Sequence, residues 1–458
     1  MVRQDSGSEH RLVRRRNPEP ARLVALHCLH RVETSGAPLD SLLEDLDRSL
    51  EPRDRRLARH LVLGCLRWQK RLDWIAAAYC SRPAEALEAW ARLVLRMGLY
   101  QLLWMSRIPA HAAVHSAVEL ARQLAHEGIA RMVNAVLRRV QREGDRVAYP
   151  DPRRDPVAHL AVWYSHPEWL VARWLARWRY EQTERLLQAD NEEAPVYIRL
   201  NPLRTTAEEL VRALAEEGYQ LEPAGPLPGA FRVVEPEGVF ASRAHAGGLF
   251  IVQDVNAGLA AALLAPPAGS RVADLCSAPG GKTMQLAMAM GDEGLVLAGD
   301  LHPERLARVR EHAVRLGLRS VRCLGQDARA AGVRPAFSHV LADVPCSGTG
   351  TLARRPDARW RRDPAQLAGL VARQGQILQA AYDLVLPGGV VTYSTCSLEE
   401  EENLQVVGSF LARTPGARLD PARRWFRGQV WAEECIQTLP GREPGDGSFA
   451  ARIRRPAR

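Results

Sequence analysis

From about Gly247 to the end of the 458-residue chain, short apolar runs alternate with helix-length stretches, and that alternation admits few folds. This is the spacing of βαβ units, whose strands lie parallel in one sheet with helices on its faces. Five strands are predicted: Arg271 to Leu275, Leu295 to Gly299, Ser320 to Leu324, Phe337 to Ala342 and Gly389 to Thr395. Cys276, Asp300, Asp327, Asp343 and Cys396 each stand at or just beyond the carboxyl end of one of them. Ligands of open α/β sheets bind on that edge. Five separate placements therefore converge on one cleft of a doubly wound, Rossmann-like sheet.

The loop Cys276-Ser277-Ala278-Pro279-Gly280-Gly281-Lys282 follows the first strand and is expected to open a helix at Thr283. Its backbone amides and the helix dipole would present positive potential to a cofactor. A Gly-Gly turn alone is as well explained by packing. Asp300 shifts the balance, since it lies about 20 residues on, after the next strand, where an acid binds ribose hydroxyls. Asp327, after the third strand, is placed to hold an adenine amine or is a plain loop acid. The loop is neither GxGxxG nor GxxxxGK[ST], which favours S-adenosylmethionine over a nucleotide phosphate or a hydride cofactor. Lys282 is one of only two lysines, with Lys70, in a chain that otherwise uses arginine.

Two short stretches, Asp343-Val344-Pro345-Cys346 and Ser394-Thr395-Cys396-Ser397, set a cysteine just after an apolar strand. Methyl transfer onto carbon-5 of cytosine needs this kind of residue. That carbon is too electron-poor to attack a methyl donor until a nucleophile has added at carbon-6, and a thiolate suits the addition. Ser397-Leu398-Glu399-Glu400 reads as a capping box opening a helix, whose amino terminus would lower the Cys396 thiol pKa. Alone, such a cysteine is a buried small hydrophobe; beside Cys346 on a neighbouring strand end it reads as chemistry. Asp343 is placed to hydrogen-bond the ring nitrogen or amine of cytosine, or else only shapes its own loop through the Cys346-Ser347-Gly348 backbone. The run from Arg354 to Arg362, with Trp360 inside it, is read as a path for RNA across the cleft mouth, or as a solvated charged face.

The rest of the chain is organised differently. Residues 1–18 are polar and basic and read as a disordered arm. Over 19–145, Leu57, Leu61, Val62 and Leu66, then Leu93, Leu95, Leu99 and Leu102, recur at helical spacing, predicting an all-α domain. Residues 146–246 read as a small α+β module: one tryptophan-rich helix through Trp163, Trp169, Trp174 and Trp178, strands at Val196 to Leu200 and Phe231 to Val234, and a helix from Thr205 to Glu217. The parallel-sheet domain then occupies 247–458. Lys+Arg 62 against Asp+Glu 53, a formal charge of +9, favours a polyanionic partner. The eight cysteines have no paired CxxC spacing and no histidines at zinc distances, so neither a metal site nor a disulfide framework is expected. No run reaches the ~18 apolar residues of a membrane span, which predicts a cytoplasmic protein with reduced thiols.

The cofactor loop Asp274 to Thr283, the stretch Asp343 to Gly350 and Ser394-Thr395-Cys396-Ser397 together resemble, in wording, order and spacing, the NOL1/NOP2/Sun family of RNA cytosine-5 methyltransferases. Arg53 to Leu57, Leu63 to Arg67 and Val133 to Arg139 are similar to the NusB-like RNA-binding domain fused to the bacterial members that act on small-subunit ribosomal RNA. The resemblance runs from about residue 20 to the end. It implies a class I methyltransferase domain, S-adenosyl-L-methionine as donor, and 16S ribosomal RNA or a small-subunit assembly intermediate as partner of a monomeric enzyme. It also implies that Cys396 attacks cytosine while Cys346 assists resolution of the adduct, and that residues 276 to 282, Asp300, Asp327 and Asp343 contact the cofactor. The chain departs from the family at Asp446-Gly447-Ser448-Phe449, where two aromatics usually follow Asp-Gly. Two other readings compete with this one: a DNA cytosine-5 methyltransferase, whose Pro-Cys cysteine would be the nucleophile, and a catalytically silent RNA-binding assembly or transcription factor.

Overall fold

The computed structural model describes residues 20–80 and 86–457, so the basic arm expected over 1–18 lies outside the described residues. The chain divides between His166 and Pro167 into two compact units.

The first unit is helical, with Pro20–Ser35, Leu39–Ser49, Pro52–Arg67, Gln69–Tyr79, Ala89–Trp104, Ala110–Leu124 and Glu127–Glu143 in order. Helix Ala89–Trp104 is apolar on nearly every face and is the element the others surround, as an all-round hydrophobic helix must be. Two glycines permit its close contacts. A Cβ at Gly98 would lie 2.7 Å from Leu137 Cδ1, and one at Gly64 would lie 2.0 Å from the Tyr100 ring. Arg96, on the same helix, is buried, and its guanidinium donates to Asp73 at 2.7 and 2.8 Å and to Glu33 at 2.5 Å. One cation thus joins three helices.

The tryptophan-rich helix expected through Trp163 and Trp178 is two helices, Pro156–Trp163 and Glu168–Arg177. Ser165 turns the chain with a φ of 57°, and Pro167, which has no N–H to continue the first helix, sits at the start of the second. The first half stays with the helical unit. The Arg71 guanidinium lies 4.0 Å from the Trp163 ring and also faces Trp68, Trp104 and Tyr149. The helical unit thus extends about twenty residues beyond the boundary expected near residue 145.

After helices Glu168–Arg177 and Tyr180–Ala189, the second unit has a four-stranded antiparallel sheet made from β1 (Val196–Leu200), β2 (Leu221–Pro223), β3 (Ala230–Val233) and β4 (Phe250–Val252), in the order β2-β3-β1-β4. Its helix Ala207–Ala215 starts at a capping box between Thr206 and Glu209. The larger sheet holds β5 (Arg271–Asp274), β6 (Leu295–Asp300), β7 (Val321–Gly325), β8 (Phe337–Asp343), β9 (Val385–Thr395), β10 (Arg418–Leu419), β11 (Ile436–Thr438) and β12 (Ser448–Arg454). The order is β10-β12-β9-β8-β5-β6-β7, with β11 paired to β12. The five expected strands are the parallel ones; β10 to β12 add an antiparallel edge that period-2 patterning did not reveal. Val272, Ala273, Val340, Leu341, Val391 and Tyr393 are fully buried, as strands covered on both faces require. From β5 the chain winds one way through β6 and β7, then returns to the other side of β5 at β8. That reversal is where a doubly wound sheet opens its ligand crevice. Among the described residues no helix is long and apolar enough to cross a membrane.

Candidate active site

The crevice begins with the loop after β5. Its Ser277 N donates to Gly299 O at 2.8 Å, Ala278 N donates to Asp300 Oδ2 at 3.2 Å, and the Ala278–Pro279 peptide is cis. Gly280, with a φ of 112°, leads into helix Gly281–Ala289, two residues earlier than expected. Asp274 at the end of β5 is fully buried and accepts from Thr283 Oγ1 at 2.6 Å. Burial pushes its carboxyl up to about 7, and burial also pushes up the Cys276 thiol. Asp300 accepts further from His302 N at 3.0 Å. Pro303 lies in a turn ahead of helix Leu306–Leu316 rather than in its first turn.

Asp327 stands apart in its bonding, because Arg329 grips both of its oxygens at 2.6 to 3.0 Å. That arginine holds the carboxyl down near 2. Next to it, the buried side-chain oxygen and nitrogen of Gln326 have no hydrogen-bond partner, and neither has Ser277 Oγ. Sequence reasoning passed over Gln326; nothing in its local pattern marks it.

At the centre, Cys346 Sγ and Cys396 Sγ are 3.3 Å apart. Parallel pairing of β8 with β9 puts Asp343 opposite Ser394, and Ser394 Oγ donates to Asp343 Oδ1 at 2.7 Å. Lys282 Nζ donates to Asp343 Oδ2 at 2.7 Å. Burial opposes the ammonium charge, but Asp343 outweighs it, so the Lys282 pKa rises. Asp343 therefore does not make the Asx-type loop bond considered above. It joins the cofactor loop to the cysteine strands, and with Lys282, Ser394, Cys396, Asn256 and Asp446 it lines one cavity.

Cys396 is not followed directly by a helix. Residues 397–399 are extended, Glu400–Glu402 is a short 3₁₀ turn, and the helix is Leu404–Arg413. The polar side chains that would have capped a helix instead bond within the loop. Asn403 Nδ2 donates to Ser397 O at 2.8 Å, and Thr395 Oγ1 donates to Asn403 Oδ1 at 2.6 Å. The Cys396 thiol is lowered by its bond to Cys346, against the opposing effect of burial, with Lys282 adding to the lowering. The Cys346 thiol is raised by that same bond and by burial.

The arginine run also turns inward. Arg354 donates to Asp446 at 2.8 Å and to Asp254 at 2.9 Å. Buried Arg359 reaches Asn191 and Asp190, and Arg362 donates to Ser347 O at 2.7 Å and to Cys346 O at 3.2 Å. Arg362 thus braces the Cys346 loop and Arg354 and Arg359 turn inward, whereas Arg355 and Arg361 are exposed, so the run is only in part the row of outward cations read from the sequence; Trp360 is half-buried. At the position where the family has a second aromatic, Phe449 of β12 is buried and meets the Tyr393 ring edge-on at 6.3 Å. A separate groove of about 980 Å³ runs beside helices Pro364–Leu384 and Leu404–Arg413 and holds neither cysteine.

A doubly wound sheet with a thiol pair, a lysine and an acid at its switch point, joined to an α+β module and a helical unit, has the architecture of an RNA-modifying methyltransferase. The chain belongs to the 16S rRNA methyltransferase RsmB/F family, whose model matches residues 261–454, together with the NusB family over 19–142 and the RsmF/B-like ferredoxin-like domain over 166–239. It is 33% identical over 435 residues to ribosomal RNA small subunit methyltransferase B of Klebsiella pneumoniae, covering 94% of this chain and 97% of that protein. A probable protein of the same name from Bacillus subtilis is 34% identical over 86% of this chain and 88% of its own length. Among solved structures, PH0851 matches with a TM-score of 0.79 and 25% identity over 95% of this chain and 98% of that one. A methyltransferase homolog from Pyrococcus horikoshii matches with a TM-score of 0.56 and 26% identity over 66% of this chain and 99% of its own. The chain is thus an rRNA methyltransferase with a NusB domain, a ferredoxin-like domain and a Rossmann-like domain.

Proposed function

We propose that the protein methylates carbon-5 of a cytosine in 16S ribosomal RNA, with S-adenosylmethionine as donor and a covalent cysteine–cytosine adduct on the way. The observation that carries this reading is the Cys346–Cys396 pair, with sulfurs 3.3 Å apart, beside the Lys282–Asp343 ion pair. The unpartnered Ser277 Oγ and Gln326 amide, flanking the buried Asp300 carboxylate, fit a donor rich in hydroxyls and ring nitrogens. Residues 276 to 282 and Asp300 would hold it. Asp327 fits less well while Arg329 occupies its carboxylate, and Gln326 is the better partner for the adenine edge. S-adenosylmethionine supplies an electrophilic methyl group.

The protein's own residues do the rest. The Cys396 thiolate adds to carbon-6 of an extruded cytosine, which makes carbon-5 electron-rich. Asp343, kept in place by Lys282 and Ser394, bonds the base or the cofactor at the cavity wall. After carbon-5 has taken the methyl group, its proton passes to a base, the C–H electrons restore the carbon-5–carbon-6 double bond and Cys396 leaves carbon-6 as a thiolate, with Cys346 assisting this elimination. Extrusion costs less from a loop than from a duplex, so an exposed stem-loop of the ribosomal RNA or of an assembling small subunit is the expected substrate.

Transfer of tritium from labelled S-adenosylmethionine to unmodified small-subunit ribosomal RNA tests the reading. Cys396→Ala should lower transfer by roughly 10⁴-fold or more, as loss of a nucleophile does, and Cys346→Ala should accumulate a covalent RNA adduct. Survival of activity in Cys396→Ala with loss in Cys346→Ala would reverse the two roles. No transfer by the wild type to this RNA would favour an RNA-binding factor.

A further inference from the structure

Behind the two cysteines lies a third group that the chemistry above does not use. Glu402 is completely buried. Its Oε1 accepts from Ser347 N at 2.8 Å and from Gln374 Nε2 at 2.8 Å. Its Oε2 accepts from Ser347 Oγ and from Ser397 Oγ, the latter at 2.5 Å. Ser397 Oγ itself accepts from Glu399 N at 3.0 Å, which leaves its hydrogen for the carboxylate. Four neutral donors converging on two oxygens satisfy an ionised carboxylate, which accepts only. No arginine, lysine or histidine bonds it among the described residues.

Ser347 directly follows Cys346, and Ser397 directly follows Cys396. A single side chain therefore ties together the residues after both thiols. Tyr393 OH, donating to Glu402 O at 2.5 Å, fixes the backbone from which that side chain springs. The arrangement also has electrical polarity. In a site of low dielectric an uncompensated charge acts over several ångströms. Glu402, together with the neutral phenol of Tyr393, faces Cys346; on the Cys396 side Asp343 opposes the thiolate while Lys282 and Arg355 favour it.

We propose that Glu402 is a positioning residue: it clamps the two cysteine loops and, by its negative charge behind Cys346, keeps the shared proton of the pair on Cys346 so that Cys396 carries the thiolate. The inference rests on the reading of these thiols as the reacting pair, and it concerns which of them reacts. Glu402 is then the pole behind the pair, and Lys282, offset by its ion pair with Asp343, the weaker pole in front. The bond between the two sulfurs is the main cause of the raised Cys346 thiol and the lowered Cys396 thiol, and Glu402 adds to the rise at Cys346. A structural clamp alone would need hydrogen-bond acceptors but no charge.

Glu402→Gln separates the two roles, because the amide keeps the size and most of the bonds while losing the charge. Limited alkylation with iodoacetamide at neutral pH, read by peptide mass spectrometry, should label Cys396 over Cys346 in the wild type. In Glu402→Gln the Cys396:Cys346 ratio should fall at least fivefold, whereas Ser397→Ala, which removes the hydroxyl's bonds to Glu402, Glu399 N and Ser347 Oγ but no charge, should keep it. An unchanged ratio in a folded Glu402→Gln would overturn the proposal. Should that variant not fold, the single-thiol proteins Cys346→Ser and Cys396→Ser decide. The field predicts an alkylation midpoint at least one pH unit higher for the remaining Cys346 than for the remaining Cys396, and equal midpoints would overturn it. Neither RNA nor methyl donor is present in these assays, so their failure is distinct from failure of methyl transfer.

Discussion

The helical unit and the catalytic sheet each bury a charge completely enough to matter, and they treat it in opposite ways. Arg96 in the helical unit is met by two carboxylates, Asp73 and Glu33, so its charge is neutralised where it stands. Glu402 in the catalytic unit meets only amides and hydroxyls. A neutralised charge acts as a staple between helices and projects little beyond its partners. A charge satisfied by neutral dipoles stays charged toward everything near it, and the atoms near it here are two sulfurs. The same physical expense, desolvation, thus yields rigidity in one region and a directed field in the other.

The comparison breaks most visibly at the staple. Arg96→Met removes the cation shared by Asp73 and Glu33, the latter still bonded by Arg92, and should lower the stability of the helical unit by about 3 kcal/mol. Hydrogen exchange in helices Gln69–Tyr79 and Ala89–Trp104 should accelerate, while the alkylation ratio of the two active-site thiols stays at its wild-type value. Movement of that ratio would show that the two regions are not independent in this sense. A smaller effect is expected at the front pole. Lys282→Met removes the cation facing Cys396 and should slow alkylation of Cys396 at neutral pH by roughly tenfold, since each pH unit of thiol pKa is a factor of ten in thiolate; an unchanged rate would remove Lys282 from the field.

Asp274 gives the smallest and most specific test, because it too is a buried acid bonded only by a neutral donor among the described residues. Its folded carboxyl titrates near 7, above the ordinary value of about 3.9 in an unfolded chain. The folded state therefore binds the extra proton between those values. The stability linked to this group is fully present below about pH 4 and is lost as pH rises through about 7. Asp274→Asn keeps an acceptor for Thr283 and should flatten this part of the stability profile, measured as urea midpoints at pH 5 and pH 8. A slope identical to the wild type would mean the carboxyl is ionised in the fold across that range.

Much of this was legible from residues alone, for a definite reason. Parallel strands buried on both faces are written as continuous apolar runs, so β5 to β9 and the residues at their carboxyl ends could be placed by spacing. The failures have equally definite causes. Strands β10 and β11 are two and three residues long, too short for any period to register. The inward course of Arg354 and Arg359 depends on Asp254, Asp446 and Asn191, acceptors remote in sequence, and a cluster of arginines reads the same whether it faces water or its own fold. Glu402 is the last of four consecutive glutamates, three of which differ from it in nothing but where the 3₁₀ turn happens to point them. A capping box was read there because Ser397 and Glu400 have its spacing; the serine hydroxyl was instead drawn to the buried carboxylate.

The last strand sets a constraint on time. Strand β12 pairs along β9 with Phe449 opposite Thr395, and Gly447 N donates to Gly350 O at 2.7 Å while Gly350 N donates to Cys396 O at 2.9 Å. The wall beside the Cys396 loop is therefore built from residues translated some fifty positions after the cysteine it supports. A nascent chain made only as far as residue 440 carries both thiols but has an open β9 edge, and Gly350 O lacks its bond from Gly447 N. The wall is complete only some fifty residues after the second thiol has been made.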